Sequence, residues 1–185
     1  LPAQVHNYLY PASGVDRIEP EHCRQAFLAD KTIDTIDEFR SQGNTPFFVR
    51  LDFHGPHPPN VIPEPYASMY EPASIPEFEN FSDPLVEKPA VQRMKQRQWG
   101  TDKMSWTAWQ RLIAHYYGEI SLLDTQIGRV LDHLDDSGLA DDTMVVFVAD
   151  HGDTMAAHNI WNKDYTMYDE IYRVPMIVRW TGHID

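Results

Sequence analysis

From Leu112 to Leu134 apolar side chains return every three or four positions, through Tyr116, Ile120, Leu123, Ile127 and Val130 or Leu131. That period draws one stripe along a long helix, and Gly138 supplies its stop. A helix apolar along a single stripe needs a larger apolar surface to lie on. Three short runs can provide it: Phe47–Phe53, Met144–Val148 and Val174–Trp180 read as strands, the first two apolar enough to be mostly buried. Pro20 opens an earlier helix in which Ala26, Ala29, Ile33 and Ile36 recur at helical spacing, with Gly43 as its stop. Strands alternating with long helices predict an α/β fold, a sheet with helices on both faces. At 185 residues the chain suits one domain or a large piece of one. Residues 1–19 read as irregular. From Gly55 to about Ser105 prolines are frequent and periodicity is weak, which predicts a long loop-rich insertion with short helical turns.

Two of the expected strands run directly into metal- and proton-handling side chains. The first ends in Asp52-Phe53-His54-Gly55-Pro56-His57-Pro58, the second in Asp150-His151-Gly152-Asp153. In open α/β sheets ligands bind beyond the carboxyl ends of the strands, so the two clusters are expected at one edge of one sheet, with their strands parallel. Taken alone, Asp150-His151-Gly152 reads as a turn whose Asp bonds nearby amides. His54 and His57 do not form a helical metal pair, because Gly55 and Pro56 break the helix such a pair needs. Lys163 alone reads as a solvated lysine.

Charge narrows the partners. Fifteen Lys and Arg against 28 Asp and Glu give a net charge of −13. Nucleic acid is excluded as a partner, because phosphate backbones bind clustered cations. An anionic small molecule is not excluded, since a metal ion in a pocket reverses the local field. No run approaches the roughly 20 apolar residues of a membrane span. The single cysteine, Cys23, allows no internal disulfide and leaves the compartment open.

Ala149-Asp150-His151-Gly152-Asp153, followed by His158, Trp161, Lys163, Tyr168, Glu170 and Arg173-Val174-Pro175, resembles the late catalytic block of sulfatases in the alkaline phosphatase superfamily. Phe47 to Pro59 resembles the family's strand ending in a Pro-His pair. Tyr116-Tyr117-Gly118-Glu119-Ile120 through Leu134 is similar to the long helix between those blocks. The resemblance runs from about Glu21 to His183 and makes residues 1–185 the middle-to-late part of a single catalytic domain. It implies a sulfuric ester hydrolase acting on a small-molecule or carbohydrate sulfate ester. Asp150 and His151 would be the late metal ligands, to calcium, with further ligands from outside this chain. His57 would contact the ester and protonate the leaving oxygen, and Lys163 would bind a sulfate oxygen. His54 and His158 would line the pocket or support it.

The family's nucleophile is a formylglycine made within Cys/Ser-x-Pro-x-Arg. Cys23 is followed by Arg24-Gln25-Ala26 and does not fit that pattern, so the nucleophile is expected upstream and the visible chain alone is expected to be inactive. Ala156-Ala157 stands where many relatives have Gly before the histidine. Two other readings remain: a phosphonate or phosphate ester hydrolase of the same superfamily, or a non-catalytic binding fragment. Tyr66, Tyr70, Phe78, Phe81 and Trp99 in the insertion would offer platforms for a sugar or simply pack the loop down.

Overall fold

The computed structural model describes residues 13–43, 45–163 and 166–184. Its α/β architecture is organised around the long helix. In chain order the strands are β1 (Ser13–Asp16), β2 (Asn60–Pro63), β3 (Val145–Val148) and β4 (Met176–Arg179). The helices are α1 (Arg24–Ser41), α2 (Ala90–Trp99), α3 (Trp106–Asp136) and the single turn α4 (Asp169–Tyr172). Ser105 caps α3 by accepting from the Ala108 amide, and Gly138 beyond its end takes a φ of 71°.

The apolar stripe places α3 correctly at Leu112, Leu123 and Leu134, which are buried, but Ile120 is 42% exposed. The buried face runs instead through Ile113, Gly118, Glu119 and Leu122. Gly118 is required there, because a Cβ would stand 2.2 Å from the carbonyl oxygen of Tyr66. Along this face α3 meets α1 and the β1–β2 ladder, while its first half enters the main core with Ile75, Met155 and Trp161.

The strands differ from expectation in their pairing. β1 lies within the stretch read as irregular and pairs parallel with β2, Ser13 opposite Asn60; residues 1–12 lie outside the described ones. β3 pairs antiparallel with β4, Val145 opposite Arg179. Phe47–Phe53 forms no ladder among the described residues, so the expected parallel pair with 144–149 is corrected. Phe47 stacks on Phe39 of α1 at 5.8 Å, but Phe48 is 87% exposed. An apolar run favours extended backbone, and a ladder also needs a partner edge. For the same reason β3 is not the buried strand expected: Val146, Phe147 and Val148 are 40–57% exposed. No helix among the described residues is long and apolar enough to cross a membrane.

The insertion is more ordered than its composition predicts, since it holds β2 and the ten-residue α2. Its aromatics pack inward. Phe78 and Phe81 each meet Trp106 edge-on at 5.1 Å, and Trp99 meets Trp161 at 4.9 Å. Tyr66 and Tyr70 bond Thr125 and Ser121 on α3.

Candidate functional site

The turn after residue 53 folds back on itself, with the His57 amide donating to the His54 carbonyl at 3.3 Å. The two imidazoles lie 4.8 Å apart. They border a cleft of about 260 Å³ whose other walls include Arg24, Gln25, Val61 and Glu119. His57 Nδ1 lies 2.7 Å from the Pro58 carbonyl oxygen. A carbonyl only accepts, so Nδ1 carries the hydrogen and Nε2 is left for a ligand.

The second cluster reaches the same place by way of Asp153. Its Oδ1 accepts from the amides of Met155, at 2.8 Å, and Asn162, at 3.1 Å. Thr154 Oγ1 donates to the Asn162 carbonyl at 2.8 Å, which closes the loop that presents Lys163. Burial pushes the Asp153 carboxyl up, while these amides and then the nearby charges of His57 and Lys163 pull it back. His54 is lowered by burial first, then by His57, Arg24 and Lys163. The structure therefore brings His54, His57, Asp153 and Lys163 within electrostatic reach of one another. Tyr116 on α3 joins them, its hydroxyl pushed up to about 12 by burial, then by Asp153 and Glu119.

Asp150 and His151 sit at the end of β3. Asp150 is largely exposed, and its Oδ1 accepts from the His151 amide at 2.9 Å. His151 Nδ1 donates to the Gly152 carbonyl at 2.8 Å, so Nε2 keeps its lone pair, 3.6 Å from Asp150 Oδ2. An imidazole held by one nitrogen on a backbone carbonyl is oriented as metal-bound histidines are. The pair fits two positions of a metal shell. Among the described residues no three His, Cys, Asp or Glu side chains cluster to complete one. Gly152 locks the turn: its amide donates to the Ile171 carbonyl at 2.8 Å.

His158 stands apart as a support. Nδ1 donates to Asp83 Oδ2 at 2.7 Å, the ring stacks on Tyr168 at 3.8 Å, and Asn80 bridges to Glu170 at 2.8 Å. These contacts strap the insertion to the loop carrying Lys163. Ala156, two positions before His158, has a φ of 84°, the left-handed region that favours glycine. Cys23 is buried at the wall of the cleft and accepts from the Ala26 amide as the cap of α1.

The Asp83 carboxyl is held below its ordinary value of 3.8, first by the Leu85 amide and, after burial opposes it, by His158. A lowered folded-state pKa contributes stability that is present above the unfolded value and lost as pH falls through the lowered one. Asp83→Asn is therefore expected to reduce the melting temperature at pH 7, and by less at about pH 3. An equal loss at both pH values would mean that the charge contributes nothing.

Sequence reasoning missed Asp153, Tyr116 and Glu119. Asp153 had a signal: Asp followed two residues later by an amide it can cap is the pattern of an Asx turn.

The sulfatase family model matches residues 5–185. The arylsulfatase of Clostridium perfringens is 33% identical over 158 residues, covering 85% of this chain and 32% of that protein. The multifunctional alkaline phosphatase superfamily protein PehA of Trinickia caryophylli is 28% identical over 197 residues, covering 98% and 37%. Among solved structures, the phosphonate monoester hydrolase of Silicibacter pomeroyi is 32% identical with a TM-score of 0.73, covering 89% of this chain and 34% of that one. The chain thus spans about a third of the length of these relatives. Matched over residues 5–185, it belongs to the sulfatase family.

Proposed function

We propose that the protein containing this chain hydrolyses sulfate esters of small molecules or carbohydrates. The observation that carries the reading is that His57, which lines the cleft, and Lys163, 106 positions later in the sequence, both lie near enough for their charges to act on Asp153. Lys163 binds an ester oxygen and offsets the charge that grows on it in the transition state. His57, its Nδ1 committed to the Pro58 carbonyl, presents Nε2 to the leaving oxygen and, starting as the imidazolium, passes it the Nε2 proton and becomes neutral. Asp153 fixes the loop that aims Lys163, and His54 forms the adjoining wall. Asp150 and His151 would hold a divalent cation, proposed to be calcium, which when bound polarises the ester oxygens. The nucleophile is proposed to be a formylglycine outside these residues.

A second reading, hydrolysis of phosphonate monoesters, is supported by the likeness to the Silicibacter pomeroyi enzyme. The complete protein, assayed with 4-nitrophenyl sulfate and with 4-nitrophenyl phenylphosphonate, separates the two. The sulfate ester is expected to give the higher kcat/KM. A higher value for the phosphonate would establish the second reading, and turnover of neither would remove both.

A further inference from the structure

Glu119 is 5% exposed, the one ionisable side chain among the buried residues of α3, whose face is otherwise apolar or small apart from Gln126. A carboxylate buried there costs more than a leucine unless it is well bonded. Its bonds lead to one place. Oε2 accepts from Asn60 Nδ2 at 2.8 Å, and Asn60, itself 1% exposed, donates its other amide hydrogen to the Pro56 carbonyl at 2.9 Å. Oε1 accepts from Gln25 Nε2 at 3.4 Å. A Cβ on Gly55 would stand 2.3 Å from Oε1, so the main chain between the two histidines rests directly on the carboxylate.

We propose that Glu119 is the positioning residue for His57 and His54. It supports the Gly55–Pro56 turn from beneath by direct contact and through Asn60, so that both rings face the cleft. An apolar residue would fill the same volume, but it would leave the Asn60 amide with one partner instead of two and free the turn to shift. The importance of that shift for rate rests on the function proposed above; the placement of the rings does not.

The test compares Glu119→Ala, Glu119→Gln and Gly55→Ala in the complete protein, reading kcat and KM together with the ring nitrogen signals of His54 and His57 in labelled protein. Gln keeps an oxygen for Asn60, and Gln25 can rotate its own amide to accept from the new one. Glu119→Ala is expected to lower kcat by up to about 100-fold with little change in KM, since small displacements of a reacting group act on the chemical step. It should also move the ring signals of both histidines. Glu119→Gln should restore kcat and ring signals nearly to those of the unmodified protein. Should Glu119→Ala fail to fold, Gly55→Ala, which pushes on the same contact from the other side, is expected to move the same signals. Ring signals unchanged in Glu119→Ala or, where that variant does not fold, in Gly55→Ala would overturn the proposal, even if the melting temperature fell. Absence of any esterase activity would instead count against the proposed function, and the ring signals would still decide the positioning role.

Discussion

In the complete protein, His57→Ala is expected to lower kcat on a sulfate ester by about 10²–10⁴-fold, the range typical of a lost general acid or base. The ring is well prepared for that role. Its Nδ1 hydrogen is taken by the Pro58 carbonyl at 2.7 Å, the His54 ring lies 4.8 Å away, and both histidines line the cleft. The size of the loss should depend on the leaving group. A nitrophenolate leaves without a proton, so His57→Ala should cost least on 4-nitrophenyl sulfate. An alkyl or sugar sulfate releases a basic alkoxide, and there the loss should be greatest. Lys163→Ala should show no such gradient, because it neutralises an oxygen that stays with the sulfur. A His57→Ala loss independent of the leaving group would assign His57 to binding and remove it from proton transfer.

Gly152→Ala is expected to be the most damaging single methyl in the site. The added Cβ would stand 1.9 Å from the Glu170 carbonyl oxygen and 3.0 Å from its carbon. Neither side can yield cheaply. The Gly152 amide is bonded to Ile171, and Glu170 is held by Asn80. Overpacking of this kind costs on the order of 3 kcal/mol, and here it also pushes apart the stretch bearing Asp150 and His151 and the segment 169–172. Gly128→Ala is the matched control. It lies in the middle of α3 with nothing within 4 Å of the added atom, and it should be neutral or stabilising by about 0.5–1 kcal/mol. Melting temperatures of the two variants settle the matter, and equal effects would mean that the strand-end turn is looser than its bonds imply.

Hydrophobic period located α1, α3, β3 and β4 from the sequence because each needs one apolar face and little else. It could not say which polar residue would share that face. Glu119 is buried and Ile120 exposed because the partner at that point is the Gly55–Pro56 turn with Asn60, a contact 59 positions away that no local pattern encodes. Helix α2 was illegible for the opposite reason. Its inward residues include Gln92 and Lys95, so it carries no apolar stripe. Phe47–Phe53 advertises a strand, but pairing belongs to two segments and only one was visible, and no ladder forms there among the described residues. In the site, Asp150 and His151 stood out at the end of a strand, whereas His57 and Lys163 took their roles from the family resemblance, Lys163 alone reading as a solvated lysine. Asp153 was not, since its work is done on backbone amides of its own loop.

The loop bearing Lys163 does not hold its shape unaided. Met155, Ala156, His158, Asn159 and Asn162 all have positive φ, an arrangement unfavourable for side-chain-bearing residues. What holds it is the insertion and α3: Gln96 donates to the His158 carbonyl at 2.8 Å, Thr101 to the Asn159 carbonyl at 2.7 Å, and Trp109 to the Asn159 side chain at 2.8 Å. Substitutions selected in the insertion to admit a different substrate would therefore pull on the same tethers that aim the lysine. On the function proposed above, a change of specificity made there would carry a change of turnover with it, and a graft of a foreign insertion would need its own anchors for the 155–162 turn.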